Sequence, residues 1–113
     1  MSFQMIGMYN RPEDVAAFDH HYETVHAVLV AGLPGLRAFT MQRPEPAADG
    51  EAPAYHLVST LTFDDETAFA NALASDVGQR AVADLANFAS AGVTIVTGPA
   101  TSVMVAPGPG QRR

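Results

Sequence analysis

The segment Tyr55 to Phe63 (YHLVSTLTF) alternates so regularly that it dictates the frame for the rest of the chain. Tyr55, Leu57, Leu61 and Phe63 share one face, and His56, Val58, Thr60 and Thr62 share the other. A period of two with β-branched and aromatic residues is the signature of a strand. The first face is apolar and needs a helical layer over it. The second is uncharged but only partly apolar, which suits contact with another surface better than open water.

The other elements fall around this strand. Phe3 to Tyr9 reads as a first strand. Asn10-Arg11-Pro12-Glu13-Asp14 then stops it and starts a helix, with proline and acids suited to a first turn. The helix is expected from about Pro12 to Ala31. Val15, Phe18, Tyr22, Val25 and Leu29 recur at spacings of three and four and form its apolar stripe, with His26 on the border of that stripe and Asp19 and Glu23 on the other side. In Gly32-Leu33-Pro34-Gly35 a glycine suits a left-handed helix cap and a proline follows. Leu36 to Arg43 reads as the second strand, and Pro44 to Pro53 as a polar surface loop. Asp64-Asp65-Glu66 caps a helix carrying Ala68, Phe69, Ala72 and Leu73 inward. Ser75-Asp76 starts another, with Val77, Ala81, Val82, Leu85 and Phe88. Val93 to Thr97 is the fourth strand, and Thr101 to Val105 is expected to add a short terminal one.

The order strand, helix, strand, strand, helix pair, strand is the ferredoxin-like split βαβ pattern. The fold class expected is therefore α+β: a βαββαβ domain with an antiparallel four-stranded sheet and helices on one face. Two such sheets pairing face to face would bury the uncovered side, so a homodimer built as a dimeric α+β barrel is expected. Residues 1–106 form the expected domain and 107–113 (PGPGQRR) a flexible tail. A chain of 113 residues with 48% hydrophobic residues supports one such core.

Charge and composition close off several classes. The formal net charge is -6, lysine is absent and the six arginines are scattered. No dense basic surface for nucleic acid can be drawn from them, and an anionic membrane surface is disfavoured for the same reason. Cysteine is absent, which removes disulfides, thiolate metal sites and thiol nucleophiles. No apolar run approaches a membrane span and the start of the chain lacks the pattern of a signal peptide, so a cytoplasmic protein is expected. There is no dinucleotide-binding glycine motif, no P-loop and no nucleophile elbow.

Several motifs in sequence then point to a family. Tyr9-Asn10-Arg11-Pro12, Phe18, Tyr22, Val25-His26-Ala27 and Leu33-Pro34-Gly35-Leu36 are followed by Leu61-Thr62-Phe63-Asp64-Asp65, Ala68-Phe69, Ala72-Leu73-Ala74-Ser75, Gly78-Gln79 and Asp84-Leu85-Ala86-Asn87-Phe88. In this order and spacing, over about residues 3 to 98, the chain resembles the EthD family. That family takes its name from a protein of ethyl tert-butyl ether degradation. Its wider superfamily of dimeric α+β barrels includes muconolactone isomerases, cofactor-free quinol-forming monooxygenases, polyketide-tailoring enzymes and some haem proteins. The resemblance implies a homodimer with a pocket in each subunit between sheet and helices. Many relatives carry tryptophan where this chain has Tyr22, so no single relative's substrate carries over.

His26 is the leading candidate for chemistry, because an imidazole takes and gives protons near neutral pH. Its structural alternative is a helix histidine bonded to a backbone carbonyl. Tyr22, one turn earlier, is the candidate to orient the imidazole or donate to a substrate oxygen, or it is a core tyrosine. Phe18, Leu29 and His56 are the candidate ligand contacts, with His56 directed to the dimer interface or cavity mouth, or to solvent. A metal site is not expected. His20 and His21 point about 100° apart, His21 and His26 are five apart, and no carboxylate stands clearly beside them.

Two functions follow. One is a small enzyme acting without an organic cofactor on a hydrophobic, oxygenated small molecule, by isomerase, cyclase, dehydratase or monooxygenase-type chemistry. The other is a ligand-binding or stress-associated module without turnover. Haem held by a histidine is a third option by superfamily analogy alone. An enzyme requires His26 beside a solvent-reachable cavity with a free ring nitrogen.

Overall fold

The structure, a computed structural model, describes residues 1–104. Its elements are β1 (Ser2–Tyr9), α1 (Val15–His21), a π-helical turn (Tyr22–His26), α2 (Ala27–Ala31), β2 (Leu36–Gln42), β3 (Leu57–Phe63), α3 (Glu66–Ala74), α4 (Asp76–Phe88) and β4 (Val93–Ala100). The four strands form one antiparallel sheet in the order β2-β3-β1-β4. This is the expected ferredoxin-like α+β fold.

Register decides which side chains meet the helices. Phe3, Gly7 and Tyr9 of β1 and Leu57, Leu61 and Phe63 of β3 are buried on the helical side. Two core clusters result. Val30, Leu33, Leu61, Phe63, Ala72 and Ala81 form one. Tyr9, Phe18, Tyr22, Leu57 and Phe88 form the other. On the opposite face Gln4, Ile6 and Met8 stand across from Thr62, Thr60 and Val58. Thr40 continues the row from β2, and Val96 and Thr94 from β4. No charged side chain is set in that row.

Helix starts obey local chemistry. The side chains of Asp14, Asp65 and Ser75 accept from the backbone N–H of Ala17, Ala68 and Gly78, so α1, α3 and α4 each start on a hydrogen-bonded cap. The end of α2 departs from expectation. Gly32 has φ −88°, and the chain closes with short bonds from the N–H of Gly32 and Leu33 to the carbonyls of Leu29 and Val30. The positive φ falls on Gly35, at 77°.

β4 also differs. It runs on through Gly98 and Pro99 to Ala100, pairing along the whole of β1. Gly-Pro reads as a strand breaker, yet β4 is an edge strand, where a residue without an N–H costs no ladder bond if it faces outward. The terminal strand expected from Thr101 is absent over residues 101–104. Val105 and the tail 107–113 lie outside the described residues. Among those residues no helix is long and apolar enough to cross a membrane.

Candidate functional site

The site begins with a change of helical pitch. Regular α-helical spacing puts Val25 and Leu29 inward with His26 at the border. The structure instead buries Phe18, Tyr22, His26 and Val30, each four residues apart. Four residues per turn is wider than the 3.6 of an α-helix, and the π-helical turn supplies the difference. Within it the N–H of Ala27 donates to the carbonyl of Tyr22, five residues back. Val25 is thereby turned outward to 40% exposure, while His26 is 5% exposed.

The same turn brings His21 and His26 to one carboxylate. His26 Nδ1 lies 3.0 Å from Asp84 Oδ2. His21 Nε2 lies 2.9 and 3.0 Å from the two Asp84 oxygens. Asn87 Nδ2 donates to Asp84 Oδ1 at 2.9 Å. A carboxylate only accepts, so both ring nitrogens carry the proton and donate. This overturns the reading that no carboxylate stands beside these histidines. The five-residue separation that argues against pairing on an α-helix is one turn here. Asp84 itself comes from α4, where it lies within the buried stripe of Ala81 and Phe88. An acid inside an apolar stripe was the available signal.

Electrostatics fix the resting state of the pair. Burial lowers the affinity of His26 for a second proton, against the raising effect of Asp84, and the net shift is downward from 6.5. Burial alone would raise Asp84, but donors from Asn87, His21 and His26 together bring it below its ordinary 3.8. The resting pair is therefore a neutral imidazole against a carboxylate. With Nδ1–H committed to Asp84, the lone pair lies on Nε2.

His26 borders a small apolar pocket of about 40 Å³. Met5, Gly7 and Tyr9 of β1 line it with Val30, Leu33, Leu61, Leu85 and Ile95. Gly7 matters because a Cβ there would stand 3.1 Å from Ser59 Oγ and 3.6 Å from the Tyr9 ring. A separate groove of about 350 Å³ is lined by Glu13, Asp14, Phe18, His21, Asn87 and Phe88. Asp84 links the two, since the histidines it holds face different spaces.

The remaining candidates are placed as follows. Tyr22 is 1% exposed and its ring centroid is 5.4 Å from that of His26, but Tyr9 is the tyrosine that lines the pocket. Burial pushes the Tyr22 phenol up to about 12, against Ser59 and Arg43, and pushes Tyr9 well above its ordinary value. Both are therefore neutral phenols. Phe18 belongs to the aromatic cluster and lines the groove, and Leu29 is half-buried against the first core cluster. His56 corrects its assignment to the open sheet face. β3 begins only at Leu57, so His56 escapes the alternation. It packs edge-on to Phe18 and its Nε2 donates to Asp19 at 2.9 Å, beside Arg43. None of Phe18, Leu29 and His56 lines the pocket that His26 borders. Among the described residues no three His, Asp or Glu side chains converge on a point where a metal ion could sit.

Comparison with known proteins follows the same lines. The family model described as EthD domain matches residues 10–92. An uncharacterised 11.0 kDa protein of the thcB-thcC intergenic region of Rhodococcus erythropolis is 40% identical over 89 residues, covering 79% of this chain and 85% of that protein. The crystal structure of an EthD family protein from Bacillus halodurans superposes with a TM-score of 0.83 at 32% identity, covering 89% of this chain and all (100%) of that one. SnoaB, a cofactor-independent oxygenase from Streptomyces nogalater, shares the fold at TM-score 0.67 and 17% identity, over 91% of this chain and 96% of its own. A dimeric ferredoxin-like protein of unknown function from Jannaschia does so at TM-score 0.66 and 22% identity, over 88% and 100%.

Proposed function

Because the chain belongs to the EthD family, we propose that it binds a hydrophobic, oxygenated small molecule beside His26 and that His26 moves a proton on it. The observation that carries this reading is the buried His26–Asp84 pair, whose imidazole borders an apolar pocket. Asp84 fixes the tautomer and would balance the charge when Nε2 takes a proton; the same nitrogen then returns it. Tyr22 supports the imidazole by packing against it, and the neutral phenol of Tyr9 is available to a substrate oxygen. Ligand contacts move from Phe18, Leu29 and His56 to Tyr9, Val30, Leu33, Leu61, Leu85 and Ile95. Proton transfer of this kind serves isomerisation, cyclisation, dehydration and cofactor-independent oxygenation alike. The protein acts as a homodimer, its uncharged sheet face meeting a second copy.

A pocket of about 40 Å³ must open to admit such a molecule; a naphthol, a naphthoquinol and an aromatic lactone, screened for binding and turnover, test the reading. His26→Ala should leave a folded protein and reduce turnover of any accepted compound by ~10²–10⁴-fold. Unchanged turnover in a folded variant would remove His26 from the mechanism. Binding without turnover in the wild type, equally tight in the variant, would favour the ligand-holding module.

A further inference from the structure

We propose that His21 sets the basicity of His26 by sharing its carboxylate. This rests on the reading of His26 as the proton-moving group and deepens it by naming what tunes that group. Three donors meet on Asp84. His21 reaches both oxygens, Asn87 reaches Oδ1 and His26 reaches Oδ2 alone. Each added donor draws charge from the carboxylate, and in a site this dry that charge is what stabilises an imidazolium on His26. His21 is thus a competitor for the partner of the pocket base.

The two histidines differ in access to water. The side chain of His21 is 27% exposed and that of His26 is 6% exposed. His21 stacks on Phe88 at a centroid distance of 5.2 Å and lines the outer groove with Glu13 and Asp14. Tyr9, Tyr22 and Asp84 are the other ionisable groups packed around the cluster. Because His21 engages both carboxylate oxygens and His26 only one, less of the carboxylate's charge is left to stabilise a second proton on His26. The lowering influence of His21 on His26, the smallest after burial and the raising effects of Asp84, runs in the same direction. His21 is a positioning residue: it touches Asp84 and does not line the pocket.

Ring-nitrogen and carbon-bound proton resonances of the ¹⁵N-labelled full chain, followed against pH, read this without a ligand. His21→Phe keeps the stack on Phe88 and removes the donor. It should move the His26 midpoint up by roughly half a pH unit, the scale of a partly exposed charge interaction. His21→Gln keeps a neutral donor and should give a smaller rise. In an Asp84→Asn background His21→Phe should have no effect on His26. Equal rises with Phe and Gln would mean loosened packing and overturn the proposal. So would an unchanged or lowered midpoint in His21→Phe, or a rise that persists without the carboxylate. If Asp84→Asn does not fold, the Phe and Gln comparison decides alone. A failed turnover test on His26→Ala would leave these results standing, so the two readings fail separately.

Discussion

His26 Nδ1 and Asp84 Oδ2 stand 3.0 Å apart with side chains only 6% and 7% exposed, joining the π-helical turn to the middle of α4. The contact is both a helix-to-helix tie and a chemical arrangement. Its geometry holds one imidazole nitrogen to a carboxylate, on a ring that borders the apolar pocket. A histidine needed only to tie helix to sheet would meet a backbone carbonyl more simply than a carboxylate shared with a second histidine.

Replacing that carboxylate should therefore cost stability as well as function. Asp84→Asn keeps the volume, but its amide N–H groups face donors already pointing inward. Leaving such groups unpaired costs about 1–3 kcal/mol. The denaturant midpoint should fall while the slope of the transition stays the same, and turnover of any accepted substrate should fall by at least ~10²-fold. Wild-type stability and turnover in this variant would show that Asp84 orients nothing.

Acidification should weaken the fold in two steps. The folded value of His26 is held below 6.5, chiefly by burial. As pH falls through 6.5 the unfolded chain binds the proton first, so stability drops until the folded value is reached and then levels off. Asp84 is held below 3.8 by its donors despite burial. Its contribution is present above 3.8 and is lost as pH falls through the lowered folded value. Urea unfolding at pH 8, 5.5 and 3 would resolve both steps. His26→Ala should abolish the first; a first step of unchanged size would assign it elsewhere.

Gly78 is where α3 and α4 approach at their shared corner. A Cβ there would collide with the Ala72 carbonyl oxygen and lie 2.7 Å from that of Leu73, both backbone atoms. Gly78→Ala must shift α4, the helix that carries Asp84, and should destabilise by about 3 kcal/mol or more. Gly98→Ala, at the edge strand beside Gln4, is the control within one subunit, since a Cβ there meets nothing of the same chain within 4 Å. Thermal unfolding of the pair should show a large loss for the first and almost none for the second.

The strands and helices were legible because their periods are strong: Leu57, Leu61 and Phe63 lie on the helical side as their alternation predicts. His26 was legible as a residue bordering an apolar stripe. Its depth was not, because a π-helical turn leaves no signature in a pattern read at 3.6 residues per turn. Asp84 was missed for a related reason. Acids on helices are read as solvent-facing by default, and only the neighbouring Ala81 and Phe88 mark its side of α4 as buried. His56 escapes the alternation of the segment because β3 begins only at Leu57, two residues later than the pattern suggests.

The uncharged sheet face carries the last prediction. Ile6, Met8, Val58 and Val96 lie among threonines and Gln4 in the middle of the sheet, and Gln4 Nε2 spends a hydrogen bond on Thr62 Oγ1 within the same face. A surface of this kind has little to gain from water and no charge to repel a second copy. Val58 sits opposite Met8 on one side and Gln42 on the other, so a substitution there enters one end of the patch without touching the helical core. Val58→Asp would place an unpaired carboxylate in a buried interface. Such a charge costs about 3–5 kcal/mol, enough to weaken a dimer by ~100-fold or more. Sedimentation at micromolar concentration should show a dimer for the wild type and a monomer for Val58→Asp, with unchanged helical content by circular dichroism. A folded wild-type monomer under these conditions, or an undisturbed Val58→Asp dimer, would move the interface to another face.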